Sequence, residues 1–408
     1  MSMTAVRRMM CLAAFPCAAL GAAGGRAEAQ TPASPEPLAS PAPASPAPSS
    51  PAPPGLPAPG GDPAPANPAP PDPAAPPGGS VAPAGSSKIF NPDISVVGNF
   101  VGAAGTNDSA FATPGLDLSE AEVSFQAVVD PYARADFFFA FSPEGAEVEE
   151  GYVTFPTLPG GVLLKVGKMR ASFGKVNLMH GHLVRWIDRP LVTQDLLGGE
   201  EGISDAGLSV SRLFPNPLLF LEATAEVYAG NRGLFQAPTR GDLAYVGRLR
   251  AYRDLSESTN LDVGASLARG HNSLEIVDAT TRLLGVDATF RYKPLRRAIY
   301  QQILARTELV WSRRGQEAGD PTSFGLYVSG EYQLGRRWFA GARYDRSSRA
   351  EDASLRDKGV ALVLTYAPSE FSLVRGQYRH LKYGDGLKAS EVLFQFLFSI
   401  GAHGAHPF

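Results

Sequence analysis

Two histidines one residue apart, His180 and His182, lie in a long polar stretch and could bind a metal ion. In an extended segment, side chains two positions apart point to the same side, so both imidazoles would face one ion. Carboxylates complete many zinc sites, and three of them follow in the same stretch: Glu200, Glu201 and Asp205. Because no third ligand stands at a fixed spacing, zinc binding and ordinary loop polarity both stay open. His403 and His406, near the C-terminus, form a second candidate pair.

Arginines recur at alternate positions along several segments and could attract anions, because a ring of like charge selects the opposite ion. These residues are Arg248, Arg250, Arg291, Arg306, Arg343, Arg375 and Arg379. Acidic residues, among them Glu308 and Asp345, occupy similar positions in similar number. Two interpretations follow: an anion-attracting stripe, or mutual ion pairs that leave only weak selectivity.

The N-terminal region has the features of a targeting segment followed by a spacer. Arg7 and Arg8 precede an apolar run, and Ala27-Glu28-Ala29 has the form of a signal peptidase site, which predicts a signal peptide over residues 1–29. Both cysteines fall within it, so the mature chain would hold no thiol. Residues 30–87 are almost entirely Pro, Ala, Ser and Gly, typical of a disordered periplasmic spacer. We interpret this spacer as a passive tether or as a contact to peptidoglycan.

Residues 88–408 consist of segments in which apolar and polar side chains alternate, as from Leu219 to Val227. The segments reach the roughly ten residues that a tilted strand needs to cross a bilayer. About sixteen of them can be counted, and an even number is typical of bacterial outer-membrane barrels. The pattern predicts an all-β fold, a transmembrane antiparallel β-barrel. Tight turns are expected to alternate strictly with longer links, which would put both termini on the short-turn, periplasmic side.

The two faces of the predicted strands differ in polarity. Apolar sets such as Phe137, Phe139 and Phe141, and the run from Val392 to Ile400, are expected to meet lipid. The arginines and acids named above would then line a polar, hydrated lumen, which about sixteen strands make wide enough for an aqueous channel. Net charge is −3 and shows no basic footprint for nucleic acid.

Parts of the chain resemble known outer-membrane proteins. Val166-Gly167-Lys168-Met169-Arg170 followed by Phe173-Gly174-Lys175 resembles a strand-to-loop segment of the phosphate-selective porins and their broader superfamily. The pattern from Asp93 onward also resembles bacterial proteins labelled zinc-regulated TonB-dependent outer-membrane receptors, although the chain is too short for a plugged 22-stranded receptor. The terminal Phe408 resembles the signal read by the barrel assembly machinery. The resemblance implies an outer-membrane location and, by analogy, a homotrimer.

The stretch from Leu163 to Gly207 begins with the fifth predicted strand and continues as about thirty residues without a sustained period, which form the third long loop. In porins this loop folds into the barrel and narrows the pore. Its apolar residues are candidate anchors on the inner wall: Phe173, Trp186, Ile187, Leu191, Leu196 and Leu197. Its charged residues are candidates for the pore constriction: Lys175, Arg185, Asp188, Arg189, Glu200 and Glu201. A loop folded outward as a lid is the alternative.

The sequence as a whole predicts a passive porin-like channel for small hydrophilic solutes or ions, with anions such as phosphate as one option. A structural or adhesive barrel and a metal-uptake protein are the alternatives. An enzyme would need a serine or carboxylate beside a histidine facing inward. His271, Asn272 and Ser273 fall in a predicted outer loop and His380 on the predicted lipid face, so we expect no enzymatic activity. No cofactor is expected apart from the zinc option.

Overall fold

The protein forms a closed antiparallel β-barrel of sixteen strands in a computed structural model. The structure describes residues 92–109, 113–276, 279–317 and 319–401. The predicted signal peptide, the predicted spacer and residues His403, His406 and Phe408 lie outside the described residues. The strands are β1 Asp93–Asn107, β2 Leu116–Asp130, β3 Ala133–Ser142, β4 Gly145–Leu158, β5 Val162–Arg170, β6 Ser204–Phe214, β7 Phe220–Tyr228, β8 Ala244–Ser256, β9 Thr259–His271, β10 Thr280–Tyr292, β11 Ile303–Arg314, β12 Thr322–Gly335, β13 Trp338–Ser348, β14 Arg356–Ser369, β15 Ser372–Lys382 and β16 Lys388–Gly401.

Each strand pairs with its neighbours in the sequence, and β1 pairs with β16 to close the ring. Side-chain exposure alternates along the strands: in β14 the apolar Val360, Leu362 and Leu364 are exposed outward, whereas Ala361 and Val363 are buried inside. The period-two pattern therefore predicted both the strands and their outer face correctly. Closure removes the free sheet edges that would otherwise expose unpaired backbone groups.

The predicted strict alternation of tight turns and long links is wrong at two places. The link between β3 and β4 is a two-residue turn, Pro143-Glu144, at the end of the barrel where long loops were expected. Between β10 and β11 the chain needs ten residues, including a 3₁₀ helix over Leu295–Arg297. Pro294 precedes this 3₁₀ helix, and its carbonyl accepts a hydrogen bond from the amide of Arg297 at 3.0 Å. Strand β11 therefore begins at Ile303 and not at the predicted Ile299.

Helix is confined to short pieces. The segment between β5 and β6 contains a 3₁₀ helix, Gly181–Leu183, and helix α1, Leu191–Leu196, where no helix was predicted. Six residues are too few to establish a periodic pattern, so the sequence does not predict α1. No helix in the described part of the chain is long and apolar enough to cross a membrane.

Candidate functional site

The segment of residues 171–203 between β5 and β6, here called the crossing segment, lies inside the barrel and reaches opposite walls. On one side, the ring of His180 lies 5.0 Å from that of Phe138 on β3. On the other, α1 packs against β11, β12 and β13. Strands β3 and β11 are eight positions apart in a ring of sixteen, so the segment spans the full width of the lumen. The inward-folded loop is confirmed, and the alternative of an outward lid is wrong.

The two ends of the crossing segment are tied together by one side chain, that of Asn177. Its amide nitrogen donates to the carbonyls of Ala171 and Ile203 at 2.8 and 3.0 Å, and its oxygen accepts the amide of Ile203 at 2.8 Å. Gly202 adopts a φ of +64°, and a Cβ there would lie 2.1 Å from the Asn177 oxygen. Asn177 and Gly202 together fix where the segment leaves and rejoins the wall.

An apolar cluster fills part of the lumen next to β8–β12. Phe173, Leu196 and Leu197 of the crossing segment are completely buried in it, against wall residues such as Leu283 and Val310. Full burial of side chains of this size stabilises the fold by about 1.5–3 kcal/mol each. Of the other predicted anchors, Trp186 and Leu191 are buried in two smaller clusters and Ile187 is only partly buried, so five of the six are confirmed. The expectation of a polar lumen without a packed core is wrong in this part.

Three charged residues hold the crossing segment to the wall, and we call them polar anchors. The first is Glu308 on β11, which binds backbone amides of the crossing segment. One Glu308 oxygen accepts the amides of Lys175 and Val176, each at 2.7 Å. Gly174 has a φ of +60°, and a Cβ there would lie 2.7 Å from the other Glu308 oxygen. Arg248 donates to the carbonyl of Gly174 and forms an ion pair with Asp287 at 2.9 Å.

The second anchor is His180, which is buried among carboxylates of β2 and β4. Its Nδ1 lies 2.6 Å from Glu122 and 3.2 Å from Glu149, and its Nε2 lies 2.7 Å from Glu150. Burial alone would lower the pKa of His180, but hydrogen bonds to the three carboxylates outweigh it and raise the pKa well above the usual value. The nearby His182 Nδ1 lies 3.8 Å from both Glu120 and Glu122.

Two β-bulges bring these four carboxylates inward. Ser119 is an extra residue in the pairing of β1 with β2, and Glu149 is an extra residue in the pairing of β3 with β4. A bulge re-aims the side chains beside it, so the adjacent Glu149 and Glu150 both reach His180 although strict alternation would send one of them outward. In the sequence, Glu120 and Glu122 are separated by one residue, the same spacing as His180 and His182. This shared spacing is the pattern that could have predicted their contact.

The predicted zinc set is therefore only partly assembled. His180 and His182 do lie together, with 5.7 Å between ring centroids, but their acidic neighbours are Glu120, Glu122, Glu149 and Glu150. Glu200, Glu201 and Asp205 are not among these neighbours: Glu200 is exposed, Glu201 caps Arg170 through its carbonyl, and Asp205 accepts the amide of Asn231. The sequence alone does not predict these neighbours, because they lie on β2 and β4, which precede the crossing segment in the chain.

The third anchor is Asp188, which lies between two arginines of the opposite wall. Its carboxylate forms ion pairs with Arg343 at 3.0 Å and Arg379 at 3.2 Å and accepts the amide of Gln377 at 2.6 Å. Burial tends to raise the pKa of Asp188, but the two guanidinium groups outweigh it and hold the pKa below its usual range. The guanidinium of Arg343 also stacks on Trp186, 5.0 Å from the ring centre.

The lumen arginines divide into paired and unpaired groups. Four of the seven form ion pairs: Arg248 with Asp287, Arg250 with Asp262, Arg343 with Asp345, and Arg379 with Glu391. Arg375 instead donates to the carbonyls of Val184 and Trp186, at 3.0 and 3.2 Å. Arg291 and Arg306 form no ion pair with any described residue.

A small cleft, with room for about one water molecule, lies between the crossing segment and β11–β12. Arg306 and Arg185 line it together with Trp186, Tyr327 and Glu331. Glu331 lies 3.3 Å from Arg185 and is the acidic residue among the lining groups. Positive charge therefore exceeds negative charge at this point of the lumen wall.

The six predicted constriction residues occupy different surroundings. Lys175 pairs with Asp262 at 2.8 Å, and Arg185 with Glu331, and both stay partly exposed in the lumen. Asp188 is engaged with the wall, while Arg189 donates to the carbonyls of Val176 and Met179 within the segment. Glu200 and Glu201 are exposed near its end. The structure therefore does not bring the six side chains together at one point, and their role in a constriction stays a prediction.

Asp195 on α1 carries an electrostatic penalty. Burial and the proximity of Asp357 raise the pKa of Asp195 to about 7. Because the folded pKa lies above the unfolded value, protonation favours the fold, and stability is lost as pH rises from about 4 through 7. We expect Asp195→Asn to stabilise the barrel by at least about 1 kcal/mol at pH 8 and to leave it unchanged at pH 4. Thermal melting of both proteins at the two pH values checks this; equal melting temperatures at pH 8 would contradict it.

Comparison with known proteins identifies relatives in sequence and in fold. No family model matches the sequence. An uncharacterized protein of Aquifex aeolicus (strain VF5) is 31% identical over 339 residues, covering 72% of this chain and 70% of that protein. The chain belongs to the same family as this Aquifex protein.

Solved structures similar to the chain are outer-membrane barrels. A loop-deletion mutant of OmpT from Vibrio cholerae superposes with a TM-score of 0.53 at 12% identity, covering 76% of this chain and 99% of that one. The anion-selective porin from Comamonas acidovorans gives 0.52 at 11% identity, with 76% and 99% covered. OprB from Pseudomonas putida gives 0.51 at 8%, with 76% and 94% covered. The member of this family described here therefore has the sixteen-stranded porin fold that the resemblance implied.

The residues considered for enzymatic chemistry are dispersed. The Nε2 of His271 lies 3.5 Å from Asp242 beside an outer loop, and the Nδ1 of His380 lies 2.7 Å from Ser390 on an outward-facing position. Neither histidine belongs to the cluster around His180 and His182 or to the cleft beside Arg306. The predicted absence of an activity stays a prediction.

Proposed function

We propose that this barrel is a passive channel of the outer membrane for small hydrophilic solutes, with a preference for anions. The observation that carries the proposal is the cleft between the crossing segment and β11–β12, where Arg185 and Arg306 face one acid. A polar passage beside a loop that spans the lumen would be narrow, so charge at its wall acts on every ion that passes. Hydrated anions gain from such a wall, and cations are repelled.

The neighbouring arginine strengthens the positive field. Arg291 lies on β10 two residues from Thr289, the register partner of Arg306 on β11, and neither arginine forms an ion pair with a described residue. Arg343 and Arg379, by contrast, hold Asp188 and serve the fold. Selectivity is therefore assigned to Arg185, Arg291 and Arg306, and only weakly to the other lumen arginines.

Neutralising Arg291 and Arg306 together is expected to raise the permeability of cations relative to anions several-fold, because two uncompensated positive charges leave the wall. The measurement is the reversal potential of the Arg291→Gln/Arg306→Gln protein in planar bilayers under a salt gradient. Arg253→Gln, on an outward-facing position of β8, is the matched control and should keep the original value. An unchanged reversal potential in the double variant would remove the assignment.

A second candidate function, binding of a divalent ion such as Zn²⁺, is favoured by the donor atoms around His180 and His182. One group comprises Glu120, Glu122 and His182, and the other Glu122, Glu149 and His180; within each, the donor atoms lie within 4.8 Å of one another. Imidazole and carboxylate donors are typical of zinc sites. A bound ion there would cross-link the crossing segment to β2 and β4.

Titration calorimetry with Zn²⁺ tests this second candidate on the folded barrel. We expect saturable heat from the wild-type protein and its loss in His180→Ala/His182→Ala, since both groups lose their nitrogen donor. His271→Ala, which changes a histidine outside both groups, should bind as the wild type does. Equal heats from all three proteins, or none from the wild type, would reject the metal site.

The remaining partners follow from the same proposal. The barrel would sit in the outer membrane with its short turns and both termini in the periplasm, after removal of residues 1–29 and assembly guided by Phe408. The spacer of residues 30–87 would extend toward peptidoglycan. One of the similar structures, OmpT of Vibrio cholerae, is described as a trimer form, which supports a trimer here.

A further inference from the structure

The outer wall carries a belt of basic side chains at the end of the barrel where the crossing segment begins. Arg269, Arg282 and Arg313 lie on β9–β11, and Arg346, Lys358, Lys382 and Lys388 lie on β13–β16. All seven occupy exposed positions that alternate with buried ones, so they point away from the lumen. We call these seven residues the basic belt.

The belt residues oppose one another directly across neighbouring strands. Arg282 is paired in register with Arg269 on one side and with Arg313 on the other. Lys358 is likewise paired with Arg346 and with Lys382, and Lys382 in turn with Lys388. Like charges directly opposite each other destabilise a sheet, and here five such pairs occur in two unbroken runs.

Almost no acidic side chain of the described residues forms an ion pair with the basic belt. Arg313 forms an ion pair with Asp320 at 3.2 Å. Within the described ranges, the other six belt residues form neither an ion pair nor a side-chain hydrogen bond with another residue. Within those ranges, six of the seven cations therefore have no counter-charge from the protein.

The position of the belt indicates which part of the membrane could supply a counter-charge. Two residues nearer the middle of the strands, the outward positions are apolar: Leu267 beside Arg269, Leu284 beside Arg282 and Val360 beside Lys358. Basic side chains that border an apolar band lie at the level of lipid headgroups. The belt thus faces headgroups rather than hydrocarbon or bulk solvent.

Among the described strands, the outward cations without an ion pair at this end are confined to one half of the circumference, because the outward Lys168 on β5, in the other half, pairs with Glu147 at 2.7 Å. At the same end of β2, β4, β6 and β8, the outward positions are apolar and exposed: Leu118, Val148, Leu208 and Tyr245. A generic need for solubility at the membrane boundary would distribute charge around the whole ring. A one-sided run of guanidinium and ammonium groups instead fits a ligand that carries several phosphates, since arginine binds phosphate in bidentate fashion and lysine as a point charge.

We propose that the basic belt binds phosphate-bearing lipid headgroups, those of a phosphorylated glycolipid in the leaflet at the long-loop end. Each phosphate would lie between two opposed cations on adjacent strands and bind both. The repulsion within the five pairs would then be replaced by attraction to a common anion. The proposal needs only a membrane-spanning barrel and is independent of conduction through the lumen.

The test measures the melting temperature of the full-length folded protein in neutral detergent with EDTA, as a function of added bis-phosphorylated lipid A. The variant is Arg346→Gln/Lys358→Gln/Lys382→Gln. The matched control, Arg212→Gln/Arg253→Gln, removes outward-facing cations at the other end of the barrel. We expect lipid A to stabilise the wild type and the control equally, and the lipid concentration for half-maximal effect to rise at least ~10-fold in the triple variant.

Three further readouts distinguish recognition of the phosphorylated headgroup from a general effect of lipid or of free anions. Without lipid, the triple variant should melt at the same or a higher temperature than the wild type, because repulsion between opposed cations is removed. Dephosphorylated lipid A and inorganic phosphate should each fail to stabilise the wild type. Equal responses of wild type and triple variant, or full stabilisation by either of those two probes, would overturn the proposal. If the triple variant does not fold, Lys358→Gln alone is used, with the same direction expected.

Discussion

Replacing residues 172–202 with a three-residue glycine turn is expected to raise the single-channel conductance several-fold. The crossing segment spans the lumen from β3 to β11, and sixteen strands without such a segment enclose a wide aqueous channel. The new turn is feasible because β5 and β6 pair directly up to Arg170 and Ser204. Conductance of the purified variant in planar bilayers provides the measurement.

A control must show that shortening a different loop of the barrel does not by itself raise the conductance. Residues 315–320 belong to the link between β11 and β12, two strands that are joined at the same end of the barrel as β5 and β6. Replacing them with a glycine turn should leave conductance unchanged. A crossing-segment deletion that folds, judged by the β-sheet circular dichroism of the wild type, but conducts no better would contradict the claim that this segment limits the pore.

Asp188→Ala is expected to destabilise the barrel by about 2 kcal/mol, because two buried arginines lose their shared carboxylate, while Arg343 keeps Asp345 and Arg379 keeps Glu391. Arg343 and Arg379 would lose ion pairs of 3.0 and 3.2 Å, and Gln377 would lose its acceptor. The crossing segment would lose these three side-chain contacts with β13 and β15 but would keep the contacts of its backbone carbonyls with Arg343 and Arg375. Urea unfolding of the variant and the wild type at pH 7 gives the difference in free energy.

The pH dependence of this stabilisation has a definite sign. The folded pKa of Asp188 lies below its unfolded value, so its contribution is present above about pH 4 and is lost as pH falls through the folded pKa. Glu200→Ala is the control, since it removes a carboxylate of the same segment that is exposed and 3.6 Å from Arg189. A loss for Asp188→Ala no larger than that for Glu200→Ala would contradict the anchoring role.

Much of the barrel could be predicted from the sequence because strand alternation is a local property. The outward Phe137, Phe139 and Phe141 fall two residues apart, and the same period marks the last strand from Val392 to Ile400. Burial of one face and exposure of the other fixes the register of every strand. Even the inward fold of the crossing segment was foreseeable, because Phe173 and Trp186 need apolar surroundings.

The composition of the site could not be predicted to the same extent. Glu149 and Glu150 both reach His180 because a bulge breaks the alternation on β4, and no sequence pattern marks that bulge. Glu308 was expected in a solvated lumen, yet it is buried and binds backbone amides of the crossing segment. Such pairings join residues far apart in the chain, and strand periodicity carries no information about which wall a loop will meet.

The most direct test of the central claim is the single-channel current of the wild-type protein in a planar bilayer, recorded under a salt gradient. The account predicts discrete, small conductance steps and a reversal potential on the anion-selective side, from a passage narrowed by residues 171–203 and lined by Arg185 and Arg306. Purified, folded protein that gives no ion-conducting steps would contradict the channel. Steps with a cation-selective reversal potential would contradict the role assigned to the arginine-lined cleft.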